Sequence, residues 1–286
     1  MIKTVLVVGA GAMGKQIALV SAIHGYQTML SDTLPDVLKA AEIWKDEYLA
    51  GRIAKGKLTE EQAAEIKTRF QVELDLKKAA KDADLVIEAI VEKEEIKQSL
   101  FAQLDSMTKP DAILTSNSSF IPSSDVAKHT SRPGRVANLH FFNPALVMDL
   151  VEVVGGEHTD EDTITQLMEF ARSCGKSPIW VRKEIDGFVT NRILAKIMDE
   201  AMYLVDNGYV TPPEVDIAIE KGLNHPMGPF RLMDLVGLDV SYLSRERRYD
   251  LTGNEEDRPA MCLEEKFLAG ELGRKSGKGW YDYPAK

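Results

Sequence analysis

The chain reads as a doubly wound, mostly parallel α/β sheet followed by an all-α domain, and three observations predict it. One is a continuous apolar run, Thr4-Val5-Leu6-Val7-Val8, that stops at a glycine-rich turn. Such a run fits a strand buried on both faces. Another is the alternation of short apolar runs with helical patterns as far as residue 181. The last is the disappearance of strand signals from Gly187 onward. At 286 residues the chain is long for one core and suits two domains, assigned as 1–183 and 184–286.

The elements follow in order. Residues 13–23 read as a helix and 27–31 as a second strand ending at Asp32, a βαβ unit that demands a parallel sheet and a right-handed crossover. Residues 37–49 and 59–68 look helical, separated by the basic turn Arg52-Ile53-Ala54-Lys55-Gly56-Lys57. Thr59 and Gln62 have the spacing of a capping box. Two helices exceed a minimal crossover, so this stretch reads as an excursion from the sheet. Strands resume at 85–90, 112–115, 136–140 and 150–154, with a helix at 94–107 between the first two. A helix at 163–172 and a strand at 178–181 complete the α/β part. Residues 188–207 then form a long helical pattern whose apolar positions Val189, Ile193, Ile197, Ala201, Leu204 and Val205 cover more than one face. A helix of that kind is buried by other helices or by a second subunit. Pro212-Pro213 restarts a helix, the stretch from Pro226 to Pro229 breaks one, and Arg258-Pro259 begins the last.

Composition narrows the function. The chain is 44% hydrophobic and 28% charged, as in soluble globular proteins. A net charge of -10 argues against nucleic acid or an anionic membrane as partner. A polyanionic small molecule would need a local basic patch, which the basic turn offers. Cys174 and Cys262 lack CxxC spacing, so they give neither a disulfide framework nor a zinc site and fit a reducing compartment. No apolar run reaches the ~20 residues that cross a bilayer. No signal-peptide pattern precedes the first strand, and a cytoplasmic location is expected, or a matrix if a leader has been trimmed away.

Gly9-Ala10-Gly11-Ala12-Met13-Gly14 follows the buried strand and opens a helix, the context that makes this spacing a Rossmann-type dinucleotide fingerprint. Gly9 permits the tight turn, Gly11 lets a pyrophosphate approach the backbone, and Gly14 allows close helix–strand packing. The pyrophosphate would meet the helix N-terminus and its free N–H groups. Asp32 ends the second strand, where a carboxylate accepts from both ribose hydroxyls and repels a 2′-phosphate, so the expected cofactor is NAD rather than NADP. A flavin protein or a purely structural glycine turn are the rival readings.

Two further segments carry chemistry: Thr115-Ser116-Asn117-Ser118-Ser119, and His140-Phe141-Phe142-Asn143-Pro144 followed by Glu152. His140 ends a predicted strand, and strand C-termini in such sheets face the ligand crevice. Side-by-side strands would bring Glu152 to it, where a carboxylate fixes the imidazole tautomer and stabilises the imidazolium. The bland alternative is a satisfied strand-end histidine. His24, His129, His158 and His225 have no reading beyond structural or solvated.

These motifs, with Val86-Ile87-Glu88-Ala89-Ile90-Val91-Glu92, Gly187-Phe188-Val189-Thr190-Asn191-Arg192, His225-Pro226-Met227-Gly228-Pro229 and Gly273-Arg274-Lys275-Ser276-Gly277-Lys278-Gly279, resemble the L-3-hydroxyacyl-CoA dehydrogenase family over nearly the whole length. The short bacterial 3-hydroxybutyryl-CoA type is the pattern matched. The resemblance implies NAD-dependent, reversible oxidation of a short-chain (S)-3-hydroxyacyl-CoA, and a helical domain that dimerises and closes over the cofactor. It implies that His140 is the base, that Glu152 holds it, and that Ser119 and Asn191 contact the reacting acyl group. By the same matching Asp32, Glu92, Lys97, Asn117, Asn143 and Lys275 contact NAD, and Lys57 contacts a CoA phosphate. No metal is implied. Ser118 stands where relatives often carry Thr, and Ala50 where they carry a CoA-contacting Ser; residues 241–257 are unusually charged and match least. Two other functions stay open at this level: a dehydrogenase of a non-CoA hydroxy acid (gulonate or carnitine type), and a non-catalytic dinucleotide binder.

Overall fold

Alternation inside the first strand decides the architecture. The computed structural model describes residues 1–284, so positions 285 and 286 of the helical domain lie outside the described residues. In β1 (Thr4–Val8), Val5 and Val7 enter one apolar cluster while Leu6 and Val8 enter another, so both faces of the sheet are covered. Each such side chain contributes about 1.5–3 kcal/mol when fully buried.

The first cluster collects α1 (Gly14–Ile23), α2 (Pro35–Ala54), α3 (Glu60–Arg69) and α7 (Glu161–Ser173). The second collects α4 (Leu76–Ala80), α5 (Glu94–Met107) and α6 (Ser123–Ala127). Between them lies one eight-stranded sheet in the order β3-β2-β1-β4-β5-β6-β7-β8. Its other strands are β2 (Gln27–Ser31), β3 (Phe70–Glu73), β4 (Leu85–Glu88), β5 (Ile113–Ser116), β6 (Val136–Phe141), β7 (Leu150–Val154) and β8 (Ser177–Val181). Strands β1 to β6 run parallel, so their carboxyl ends share one edge. β7 runs antiparallel to β6, and β8 parallel to β7. The link from β6 to β7 is too short to hold a crossover helix, which forces the reversal.

One sequence expectation is corrected. The stretch from α2 to α3 is no excursion: it is the crossover to β3, which pairs in parallel with β2. Phe70-Gln71-Val72-Glu73 follows Arg69 with no intervening glycine or proline, and only Phe70 is buried, so nothing local marks it as a strand. The expected capping box at Thr59 and Gln62 does form at the start of α3.

The chain divides into two compact units, Met1–Val189 and Thr190–Lys286. Among the described residues the second is built of helices: α8 (Thr190–Asp206), α9 (Pro212–Gly222), α10 (Pro229–Val236), α11 (Leu238–Thr252) and α12 (Met261–Leu268). Its core is built on Met198, Met202, Val215, Phe230, Met233, Leu238 and Leu263. The charged stretch predicted to be unusual lies mostly on α11. There Arg245 and Arg248 both pair with Asp199 of α8, and Arg248 also pairs with Asp257. Among the described residues no helix is long and apolar enough to cross a membrane.

Candidate active site

The carboxyl edge of the parallel strands gathers most of the residues singled out from the sequence. Gly9 follows β1 with φ of +100°, and a Cβ there would lie 2.6 Å from the Ala89 carbonyl oxygen at the end of β4. A Cβ on Gly14 would lie 1.7 Å from the Gly9 carbonyl oxygen, so the helix packs against its own turn only without a side chain. Gly11 differs: a Cβ there would meet no protein atom within 4 Å. The protein leaves that side of the turn open, which is the space a pyrophosphate requires. Asp32 accepts from the Ala10 N–H at 2.7 Å and from the Leu34 N–H at 3.0 Å. Its carboxylate is thereby anchored beside the glycine turn. These residues fit a dinucleotide.

Strand register builds the polar centre. His140 and Glu152 are direct partners across the antiparallel β6–β7 pair, so their side chains share one face. His140 Nδ1 lies 2.9 Å from Glu152 Oε2, and Nε2 lies 2.9 Å from Ser119 Oγ. A carboxylate only accepts, so Nδ1 carries the proton, and in the neutral imidazole Nε2 then accepts from the serine hydroxyl. Glu152 is fully buried and His140 only 4% exposed. The other Glu152 oxygen accepts from the Val189 N–H at 3.2 Å. Phe142 and Phe188 flank the imidazole at ring-centre distances of 4.5 and 5.6 Å. A carboxylate so enclosed is held without solvent screening, which strengthens its hold on the imidazole.

Next to this pair is a cavity of about 280 Å³, lined by Met13, Ala89, Ile90, Glu92, Lys97, Asn117, Ser118, Ser119 and Phe120. Asn117 accepts from the Phe141 N–H at 2.8 Å, which fixes its amide beside the end of β6. Asn143 stands by α1, where Gln16 donates to its side-chain oxygen at 3.5 Å.

Lys97 lines the cavity but is 1% exposed and committed to two carboxylates, Glu88 at 2.6 Å and Glu92 at 3.1 Å. Glu88 was not singled out from the sequence. The available signal was a carboxylate closing the otherwise apolar strand Leu85-Val86-Ile87-Glu88 with a lysine nine residues on.

Three further predicted residues belong to other elements. Lys57 is exposed on the turn between α2 and α3. Asn191 lies in the first turn of α8 and Lys275 in the last segment of the second unit, ion-paired with Asp239. Of the two cysteines, Cys174 is buried, and burial pushes its thiol up to about 12, unsuited to nucleophilic work.

Residues 4–185 match the family model of the 3-hydroxyacyl-CoA dehydrogenase NAD binding domain, and residues 187–283 that of the family's C-terminal domain. A 3-hydroxybutyryl-CoA dehydrogenase of Bradyrhizobium diazoefficiens is 38% identical over 282 residues, covering 99% of this chain and 96% of that protein. The crystal structure of an (S)-3-hydroxybutyryl-CoA dehydrogenase from Ralstonia eutropha is similar at a TM-score of 0.91 and 36% identity, covering 100% of both chains. A diketoreductase acting on dicarbonyl compounds is similar at a TM-score of 0.87 and 32% identity, covering 99% of both chains.

Proposed function

The chain belongs to the 3-hydroxyacyl-CoA dehydrogenase family, and from that premise we propose that it oxidises short-chain (S)-3-hydroxyacyl-CoA, 3-hydroxybutyryl-CoA foremost, and reverses the reaction. The observation that carries the reading is the imidazole held between Glu152 and Ser119 at the carboxyl edge of a dinucleotide sheet. NAD, when bound, supplies the hydride acceptor.

His140 Nε2 takes the proton of the substrate 3-hydroxyl as C3 gives up its hydride, and Glu152 stabilises the imidazolium that results. In the reverse direction the imidazolium returns that proton to the 3-oxygen. Ser119 donates to the same oxygen or to the thioester carbonyl, lining up C3 for transfer. Gly11 leaves room for the pyrophosphate on the turn that Gly9 and Gly14 shape, Asp32 receives the ribose hydroxyls, and Asn117 with Asn143 the nicotinamide half. Glu92 and Lys97 border the same cavity. Lys57, a flexible point charge on an exposed turn, suits a CoA phosphate. Asn191 and Lys275 are assigned to the acyl group and to NAD by the family resemblance alone.

We assign the first unit to NAD and the second to substrate and to dimerisation. Ile193 on α8 is 57% exposed and Ile217 on α9 is 58% exposed, apolar surface that a second copy would cover. The cysteine usage supports a cytoplasmic setting.

Acetoacetyl-CoA should oxidise NADH at a rate followed by the loss of nicotinamide absorbance. The similarity to a diketoreductase motivates the competing measurement. Turnover of free dicarbonyl or hydroxy acids with none of the thioester would overturn the CoA assignment. Inactivity toward all of them would leave a dinucleotide-binding protein.

A further inference from the structure

We propose that Glu88 is a positioning residue that sets Ser119 against His140 through a closed polar ring, buried at Glu88, Lys97, Ser116 and Ser118 and open to solvent at Glu92. The proposal rests on the functional reading above. Glu88 ends β4, is fully buried and does not line the cavity. Its Oε1 accepts from the Lys97 ammonium at 2.6 Å and the Ile90 N–H at 2.7 Å, and its Oε2 from the Ser116 hydroxyl at 2.7 Å. Ser116 Oγ in turn accepts from the Ser118 N–H at 3.1 Å. From the other side Lys97 pairs with Glu92, Glu92 accepts from the Ser118 hydroxyl, and Ser118 Oγ accepts from the Phe120 and Ile121 N–H groups at 3.2 and 2.8 Å.

The loop from residue 116 to 121 is thus held at successive positions by one ring of groups, all of which lead back to Glu88. The Glu88 carbonyl adds a bond from the Asn117 N–H at 2.8 Å. Ser119 is the position in this loop whose hydroxyl turns to the imidazole. The desolvated bonds of Glu88 with Lys97 and Ser116 are strong when the set is complete and costly when one member is lost. An apolar side chain of equal volume would fill this strand end as well; what sets the carboxylate apart is that its partners lead to the Ser119 loop. The ring fixes a hydroxyl within hydrogen-bonding range of a base, and misplacing such a group by about 1 Å costs on the order of a hundredfold in rate.

The experiment compares Glu88→Gln and the uncharged Ser116→Ala, each alone and in a Ser119→Ala background, by kcat, NADH affinity from fluorescence, and amide exchange of residues 117–121. Ser116→Ala keeps the Glu88–Lys97 pair, so it reports even where Glu88→Gln folds poorly. Expected are faster exchange in 117–121, kcat lowered about ten- to a hundredfold, a smaller fall in NADH affinity because Asn117 shares the loop, and little further loss of kcat in the Ser119→Ala background. A full additional loss in that background overturns the proposal, as does unchanged exchange in the loop. Should the unmodified protein fail to turn over the thioester, the functional reading falls, and the exchange data still decide whether Glu88 holds the loop.

Discussion

Glu152 in the first unit is fully buried and Asp216 in the second is 1% exposed, yet the two carboxylates face different partners. Glu152 holds one nitrogen of an imidazole whose other nitrogen points at a serine hydroxyl. Asp216, on α9, accepts from the Phe230 and Arg231 N–H groups that open α10, and from the Tyr281 hydroxyl at 2.6 Å. Asp234 repeats the pattern, accepting from the Trp280 and Tyr281 N–H groups and the Tyr283 hydroxyl. Burial, and then the Asp216 acceptor, raise the Tyr281 phenol above its usual range, so it stays a donor at any ordinary pH. The lesson is that burial does not mark a carboxylate as functional; a titratable partner beside a cavity does.

The largest effect that would break this contrast is at His140. Replacing it with Gln should lower kcat about 10²–10⁴-fold while NADH affinity and the unfolding midpoint stay near those of the parent. A variant that unfolds instead, or that keeps most of its turnover, would put His140 in the same class as the structural groups. Asp216→Ala should act the other way. It strands two backbone N–H groups and a phenol, a loss of about 2–4 kcal/mol in chemical denaturation, with turnover per folded molecule almost unchanged.

How much of this was legible in the sequence differs between the two kinds of group. Strand ends and a short link made the His140–Glu152 pair one possible reading beside a satisfied strand-end histidine, and the family resemblance is what favoured it. β2 and β7 carry their own apolar signal and begin and end where the sequence suggested. β3 was not readable, because a four-residue edge strand fused to a helix has neither a turn residue nor an alternating face. Glu88 was hidden for another reason. Its partners Lys97 and Ser116 come from different elements, and a glutamate at a strand end reads locally as an exit to solvent. The Asp216 and Asp234 staples are tertiary in the same sense: their partners lie 14 to 65 residues away in the chain.

The smallest expected effect sharpens the comparison inside the first unit, between opposite edges of its sheet. Asp84 lies at the amino edge, where it accepts from the Lys3 and Thr4 N–H groups at 2.8 and 2.9 Å and pairs with Lys109 at 2.7 Å. Burial by itself would raise this carboxyl, but the Lys109 bond and the two backbone N–H bonds outweigh it and hold it below the usual range. A carboxyl depressed in the folded state stabilises the fold at pH above its unfolded value, about 3.9, and loses that contribution as the pH falls through the folded value. Lys109 is 37% exposed, so solvent screening keeps the contribution small, about 1 kcal/mol at neutral pH. Asp84→Asn should therefore be slightly less stable than the parent in urea at pH 7, and the gap should close below about pH 4. Its kcat should not change, because Asp84 touches strand starts and no part of the His140 site. A gap that persists undiminished at pH 3, or a fall in kcat, would mean that the amino edge shares in the chemistry of the carboxyl edge.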